Sequence, residues 1–207
     1  SAIPSPEKML ILGHHKSIQM KLRITLLILF APLMSFAQNI SIIPQPQSIL
    51  MTQGRITLKQ GDAIIFKDPV LTDEAAYLKK QLLASNKLNL TINKKSVKRG
   101  ILLTLTKNND QPGVYQIVIN PHAVVIASSN QEGIFYGIQS LLQIVGNGQH
   151  SSVTLPALAI RDSPRYQWRG FMLDEARHFF GKQKVEMLLD WMARYKINKL
   201  HWHLTDA

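Results

Sequence analysis

The C-terminal part of the chain has a strand–helix–strand pattern, which restricts the fold more than any other feature. Residues 170–173 and 199–204 are short runs typical of strands. Residues 182–196 between them have helical periodicity, with an apolar stripe formed by Val185, Leu188, Leu189 and Met192. A crossover of this length joins parallel strands, so the pattern predicts a β-α-β unit in a parallel sheet.

Polar side chains cluster where the two predicted strands end. The first strand is followed by Asp174, Glu175, Arg177 and His178, and the end of the second carries His201, His203 and Asp206. Because parallel neighbours end at the same edge, we expect both sets on one rim, where functional groups of β/α folds gather. Arginine suits a rim that binds hydroxyls or carboxylates, and an aspartate can fix a histidine tautomer or accept from a sugar hydroxyl.

Simpler roles remain open for these side chains. Asp174 and Arg177 are three residues apart and could form a structural ion pair, and His178 precedes two phenylalanines that could pack around it. His201 and His203 have the spacing of metal ligands on one strand face. No cysteine or further histidine follows to complete a coordination shell, so a metal site is the weaker alternative.

Residues 38–162 combine strand patterns with two helical patterns, which predicts a compact α+β domain. One helix is expected at 72–85 with Thr72 as its N-cap, and another after Asn130, closed by Gly146. Residues 113–128 predict a hairpin, and 155–170, which contain two prolines, are interpreted as a connector. The other strand patterns lie at 55–59, 63–66, 88–92 and 101–106.

The composition excludes several classes of site. The chain has no cysteine, which rules out disulfides, zinc–thiolate sites and thiol chemistry. Its net charge is +11, and the basic residues cluster once, at Lys94, Lys95, Lys98 and Arg99. This cluster suits either a phosphate-binding patch or, more simply, a solvated turn. No aromatic residues interleave with it, so no nucleic-acid partner is expected.

Residues 20–38, MKLRITLLILFAPLMSFAQ, have the pattern of a secretory signal peptide. Lys21 and Arg23 precede an apolar run, and Ser35 and Ala37 are the small residues that a signal peptidase reads. The pattern predicts export to the periplasm or the exterior, with a mature chain that begins at Gln38. The apolar run is short for a membrane span, and no stable membrane anchor is expected. A buried N-terminal helix is the alternative, and residues 1–19 precede a plausible start methionine.

Residues 168–206, WRGFMLDEARHFFGKQKVEMLLDWMARYKINKLHWHLTD, resemble the opening of the catalytic barrel of family 20 glycoside hydrolases, the β-N-acetylhexosaminidases. The stretches GVYQIVINPHAVVIASSNQEGIFYGIQSLLQIV and LPALAIRDSPRYQWRG resemble the family's small α+β domain and its exit into that barrel. The implied fold is an α+β N-terminal domain (38–162) followed by the first β-α-β of an incomplete (β/α)8 TIM barrel (163–207). Residues 1–37 form the upstream segment and signal peptide.

The resemblance also implies a function and residue roles. Arg177 matches the arginine that binds the hydroxyls of a terminal sugar, and Asp206 matches an aspartate that supports the hydrogen-bond network. Asp174, His178 and His203 are possible supporting residues. The family removes terminal N-acetylglucosamine or N-acetylgalactosamine from glycans with retention, without a cofactor, using the substrate's own acetamido oxygen.

The family's catalytic aspartate–glutamate pair lies on a later strand than this sequence reaches. A truncated chain that is inactive by itself is therefore expected, because a whole barrel needs roughly 250 residues. A non-catalytic glycan-binding or assembly module is the alternative function. A metal-dependent hydrolase that uses His201 and His203 is a weaker one.

Overall fold

The computed structural model of the chain describes residues 40–93, 99–148 and 151–206. The predicted signal peptide and its cleavage site lie outside these residues, as do Lys94, Lys95 and Lys98 of the basic cluster. None of the helices in the described ranges is both long and apolar enough to cross a membrane.

The first part of the fold is built on a seven-stranded mixed sheet with the order β1-β7-β5-β6-β4-β2-β3. Its strands are β1 (Ser48–Lys59), β2 (Ala63–Phe66), β3 (Thr91–Asn93), β4 (Gly100–Leu105), β5 (Tyr115–Ile119), β6 (Ala123–Ser128) and β7 (Ser152–Asp162). The pairs β1–β7, β7–β5 and β5–β6 are antiparallel. The pairs β6–β4, β4–β2 and β2–β3 are parallel. Side chains alternate between a buried and an exposed face in β5, so one face of the sheet carries the core there.

Two helices cover the buried face: α1 (Thr72–Asn86) and α2 (Gln131–Val145). The predicted cap of α2 is confirmed, since Asn130 Oδ1 accepts a hydrogen bond from the Gly133 N–H at 2.9 Å. The predicted cap of α1 is wrong. Thr72 is already the first helical residue, because a short 3-10 turn, Pro69–Leu71, precedes the helix and is itself capped by Asp68.

Helix α2 presents two glycines to the sheet, and their lack of side chains lets the backbones of helix and sheet approach closely. A Cβ at Gly133 would lie 2.2 Å from the Val114 carbonyl oxygen, and one at Gly137 would lie 2.5 Å from Ile126 Cγ2. Neither distance is compatible with a side chain, so glycine sets the separation between helix and sheet.

The interpretation of residues 155–170 as a connector is wrong for its first half. Residues up to Asp162 belong to β7, which pairs with β1 on one side and β5 on the other. Pro156 is tolerated there because it lies opposite Arg55, next to the point where the register of β1 shifts. Pro156 and Pro164 therefore account for the wrong prediction of a connector in place of a strand.

The chain then forms the predicted β-α-β unit: β8 (Gly170–Asp174), α3 (Lys182–Arg194) and β9 (Lys199–His203). The two strands are parallel neighbours, which pairs Asp174 with His203 at their carboxyl ends. The fold class, an α+β part followed by the opening of a β/α part, is thereby confirmed. The helical stripe is narrower than predicted: Val185 and Met192 are buried, whereas Leu189 is 46% exposed.

Candidate active site

His203 is the centre of a polar cluster at the carboxyl ends of β8 and β9. Its Nδ1 lies 3.1 Å from Asp174 Oδ1, and its Nε2 lies 3.0 Å from Asp206 Oδ1. The parallel register accounts for the first contact, because it places Asp174 and His203 side by side on one face. A neutral imidazole can donate to only one of these carboxylates, and a doubly protonated ring can donate to both.

Arg177 extends the cluster on the far side of Asp206. Its Nη2 lies 3.5 Å from Asp206 Oδ2. The alternative of a side-chain ion pair between Arg177 and Asp174 is not what the structure shows; there the Arg177 backbone N–H donates to Asp174 Oδ1 at 3.2 Å. The side chains of Arg177 and Asp206 are 76% and 58% exposed, so the guanidinium is accessible to a solute.

The environment of Asp174 favours its ionised form. Desolvation raises the pKa of this carboxyl group, but the Arg177 backbone N–H and the neighbouring His203 together hold it below its usual value. The four side chains thus form a chain of alternating carboxylates and nitrogen groups, in the order Asp174, His203, Asp206, Arg177.

Glu175 is expected on the same rim as Asp174 and Arg177, but its side chain does not join the cluster. Its carboxylate is buried and accepts hydrogen bonds from the Trp202 indole and from two backbone N–H groups. A charged residue beside Asp174 and Arg177 is indistinguishable in the sequence from another rim residue. Only the fold shows that it points away from the cluster and into the protein.

The other two histidines of the predicted rim do not join the cluster. His178 is exposed, and its ring contacts the edge of Phe180 at a centroid distance of 4.9 Å. His201 is exposed on β9. Within residues 40–93, 99–148 and 151–206, no three histidine, aspartate or glutamate side chains are arranged to hold a metal ion. Both ring nitrogens of His203 already face carboxylate oxygens, which argues against its use as a ligand beside His201.

A second set of buried polar groups lies away from the rim, where the α+β part meets the β-α-β unit. Lys196 Nζ contacts Asp162 Oδ2 at 3.0 Å and Tyr115 Oη at 2.7 Å. Arg169 Nη2 donates to Tyr136 Oη at 2.6 Å. These groups border a cavity of about 600 Å³, but they bond to one another, which indicates a structural junction.

Arg99 is the one residue of the basic cluster that the structure describes. Its guanidinium donates to the Thr57 carbonyl and lies 3.8 Å from Asp62. Arg99 therefore has one partner in β1 and one in the turn between β1 and β2.

Several characterised proteins are similar to this chain. A β-hexosaminidase from Porphyromonas gingivalis is 31% identical over 180 residues, which is 83% of this chain and 23% of the relative. An N,N'-diacetylchitobiase from Vibrio harveyi is 45% identical over 94 residues, which is 45% of this chain and 10% of the relative. The chain therefore spans a quarter or less of the length of these two relatives.

Solved structures of hexosaminidases are also similar to this chain. The exo β-N-acetylglucosaminidase from Vibrio harveyi, determined in complex with N-acetylglucosamine, matches with a TM-score of 0.73 and 27% identity, over 80% of this chain and 25% of that one. The N-acetyl-β-hexosaminidase from Streptomyces plicatus matches with a TM-score of 0.71 and 32% identity, over 80% of this chain and 34% of that one.

Two family models cover nearly all of the described residues. The model for glycosyl hydrolase family 20, domain 2, matches residues 39–163, and the model for the family's catalytic domain matches residues 166–207. The second match contains the whole cluster from Asp174 to Asp206. The chain belongs to glycosyl hydrolase family 20.

Proposed function

We propose that this chain is part of an exported exo-β-N-acetylhexosaminidase, with domains at 38–162 and from 163 onward. The observation that carries the proposal is the cluster of Asp174, His203, Asp206 and Arg177 at the strand ends of the β-α-β unit. Family membership supplies the substrate class: glycans with a terminal N-acetylglucosamine or N-acetylgalactosamine.

The cluster is suited to binding the hydroxyls of a terminal sugar. Arg177 has several N–H donors in a fixed plane and makes one ion pair, with Asp206, so further donors are free to face a ligand. Asp206 has acceptor capacity for a sugar hydroxyl. His203 holds Asp206 toward Asp174, which fixes the position of this acceptor. A sugar whose terminal hydroxyls are all bound by the protein carries no further sugar on them. The enzyme therefore removes the last sugar of a glycan, which is exo action.

The reaction in this proposal is hydrolysis with retention. The acetamido oxygen of the bound sugar attacks C1, the glycosidic C–O bond breaks, and a glutamate protonates the leaving oxygen while an aspartate orients the acetamido group. Water, deprotonated by the same glutamate, then attacks C1 and breaks its bond to the acetamido oxygen, which releases the sugar with retained configuration. That pair is assigned to a part of the catalytic domain outside these 207 residues. Residues Arg177 and Asp206 bind the substrate and take no part in proton transfer.

The assay is nitrophenol release by the complete protein that carries this chain. We expect turnover of nitrophenyl N-acetyl-β-glucosaminide and negligible turnover of nitrophenyl β-glucoside, which has the same leaving group but no acetamido nucleophile. A chelator should leave the rate unchanged. Equal turnover of both substrates would contradict assisted catalysis, and loss of activity with the chelator would favour a metal-dependent hydrolase. Sugar binding without turnover would favour a glycan-binding module.

Export is the second part of the proposal and rests on the signal pattern of residues 20–38. We expect secreted or periplasmic material to begin at Gln38, because Ser35 and Ala37 match the positions that signal peptidase reads. Intact-mass measurement of the exported protein checks this. A mature protein that retains residues 20–37 would contradict the assignment.

A further inference from the structure

We propose that Glu175 is a positioning residue, which holds the loop that carries Arg177 in place against β9. The inference rests on the proposed function, because it concerns how Arg177 is presented to a sugar. Glu175 directly follows β8 and is only 7% exposed, although it is a carboxylate. A buried carboxylate needs hydrogen-bond partners, and its partners here define what it does.

The side chain of Glu175 joins three points. Oε1 accepts from the backbone N–H groups of Phe180 and Gly181, each at 3.1 Å. Oε2 accepts from the Trp202 indole Nε1–H at 2.6 Å. Phe180 and Gly181 end the loop just before α3, whereas Trp202 lies on β9. One carboxylate therefore ties the far end of the loop to the neighbouring strand.

The near end of the same loop is fixed through the backbone. The Glu175 N–H donates to the His203 carbonyl at 2.8 Å, and the Ala176 N–H approaches the same oxygen at 3.3 Å. Residues 175–181 are thus anchored at both ends, and Glu175 takes part in both anchors. Arg177 lies between them.

Arg177 depends on this anchoring because its side chain is largely exposed; between the two anchors, its own backbone N–H donates to Asp174 Oδ1 at 3.2 Å. Its guanidinium is exposed and has one ion-pair partner, Asp206, which is itself mostly exposed. A long exposed side chain loses much rotamer freedom when it is fixed on a ligand. When the loop backbone is already held in position, only the side chain of Arg177 loses conformational freedom on binding a sugar. Freeing the loop should therefore weaken sugar binding through Arg177.

A purely structural role for Glu175 makes a different prediction. Glu175 binds the backbone N–H groups of Phe180 and of Gly181, the residue at the N-cap of α3, so it also supports the chain just before that helix. If this support were its whole role, Glu175→Gln would lower stability, and its kinetic effect would be the same with or without Arg177.

A double-mutant cycle in the complete protein separates the two roles. We expect Glu175→Gln to lower kcat/KM for nitrophenyl N-acetyl-β-glucosaminide by roughly tenfold, the size expected when a charged hydrogen bond is lost. In an Arg177→Ala background the same change should cost less than about twofold. Trp202→Phe, which removes one donor and leaves Glu175 in place, should act in the same direction. Glu186→Gln, on the exposed side of α3, is the matched control and should have no effect. Equal fold losses in both backgrounds would overturn the inference.

A second readout needs no activity. In the complete protein, Glu175→Gln should speed amide hydrogen exchange at Phe180 and Gly181 by about tenfold or more relative to Glu186→Gln. Unchanged exchange at both amides would show that Glu175 does not hold the loop. An inactive wild-type protein would instead overturn the proposed function, so the two failures are distinguishable.

Discussion

At the scale of single residues, His203 connects the two strand ends of the proposed site. Its ring lies between Asp174 and Asp206, with one nitrogen about 3 Å from each carboxylate. Removing the ring would leave Asp206 held by Arg177 alone, and the acceptor and donor that face the sugar would both lose their orientation.

We expect His203→Phe to lower kcat/KM for nitrophenyl N-acetyl-β-glucosaminide by at least about tenfold, because an oriented charged hydrogen bond is lost. His201→Phe is the matched control and should have a much smaller effect, since His201 is exposed and lies outside the cluster. Steady-state kinetics on both variants checks this. A metal-dependent hydrolase would lose activity equally with either change, and that result would contradict the assignment.

The sequence was enough to predict which side chains meet at the rim, but not which of them contact each other. Parallel strands end at one edge, and this is enough to bring Asp174, Arg177, His203 and Asp206 together. The partner of Arg177 depends on the path of a seven-residue loop, which has no periodicity to predict it. Sequence spacing suggested Asp174, whereas the loop turns the guanidinium to Asp206. Glu175 is expected on the rim as well, but its contacts with Phe180 and Gly181 depend on the path of the same loop.

At the scale of the elements, helices and the β-α-β unit were predictable because their apolar periodicity coincides with burial. α2 is the clearest case, with Asn130 before it and Gly146 after it. β7 was not predictable because Pro156 within it and Pro164 just after it resemble a linker, and its place between β1 and β5 is set by long-range pairing. The need for glycine in α2 is likewise visible only from the packing of the helix on the sheet.

The burial of Tyr136 on α2 can be tested by measuring the free energy of unfolding at alkaline pH. Burial, followed by the hydrogen bond to Glu132, raises the pKa of Tyr136 from 10.0 to about 12. The folded state therefore keeps a proton that the unfolded state loses, and this stabilisation is fully present below pH 10 and lost as the pH rises toward 12. We expect the free energy of unfolding of Tyr136→Phe to fall less steeply over this range, measured by urea unfolding. Parallel curves for the two proteins would contradict the raised pKa.

At the scale of the whole molecule, two cation–tyrosine contacts join the α+β part to the β-α-β unit. Arg169 contacts Tyr136 on α2, and Lys196 contacts Tyr115 on β5. Each cation comes from the residues that match the family's catalytic domain, and each tyrosine from those that match domain 2. Burial lowers the pKa of Lys196 despite the attraction of Asp162, which indicates how strongly this junction is desolvated.

We expect Asp162→Asn to lower the free energy of unfolding by about 3–5 kcal/mol, because it leaves the buried Lys196 without its counter-ion. The double variant Asp162→Asn/Lys196→Met should lose less than Asp162→Asn alone, since the unpaired charge is gone. Glu186→Gln breaks an exposed pair and should leave the midpoint unchanged. Urea unfolding checks all three. A double variant less stable than Asp162→Asn would contradict a penalty from unpaired charge.

The most direct test of the central claim, that the rim cluster binds the terminal sugar, is kcat/KM of Arg177→Ala in the complete protein, with the melting temperature measured on the same sample. Each charged hydrogen bond is worth roughly 1.5–3 kcal/mol, so we expect a loss of about tenfold or more at an unchanged melting temperature. Arg177→Lys should recover little, because a point charge cannot replace a planar fork. Arg194→Ala, an exposed arginine at the end of α3, is the control. A folded Arg177→Ala protein with unchanged kcat/KM would remove Arg177 from the site.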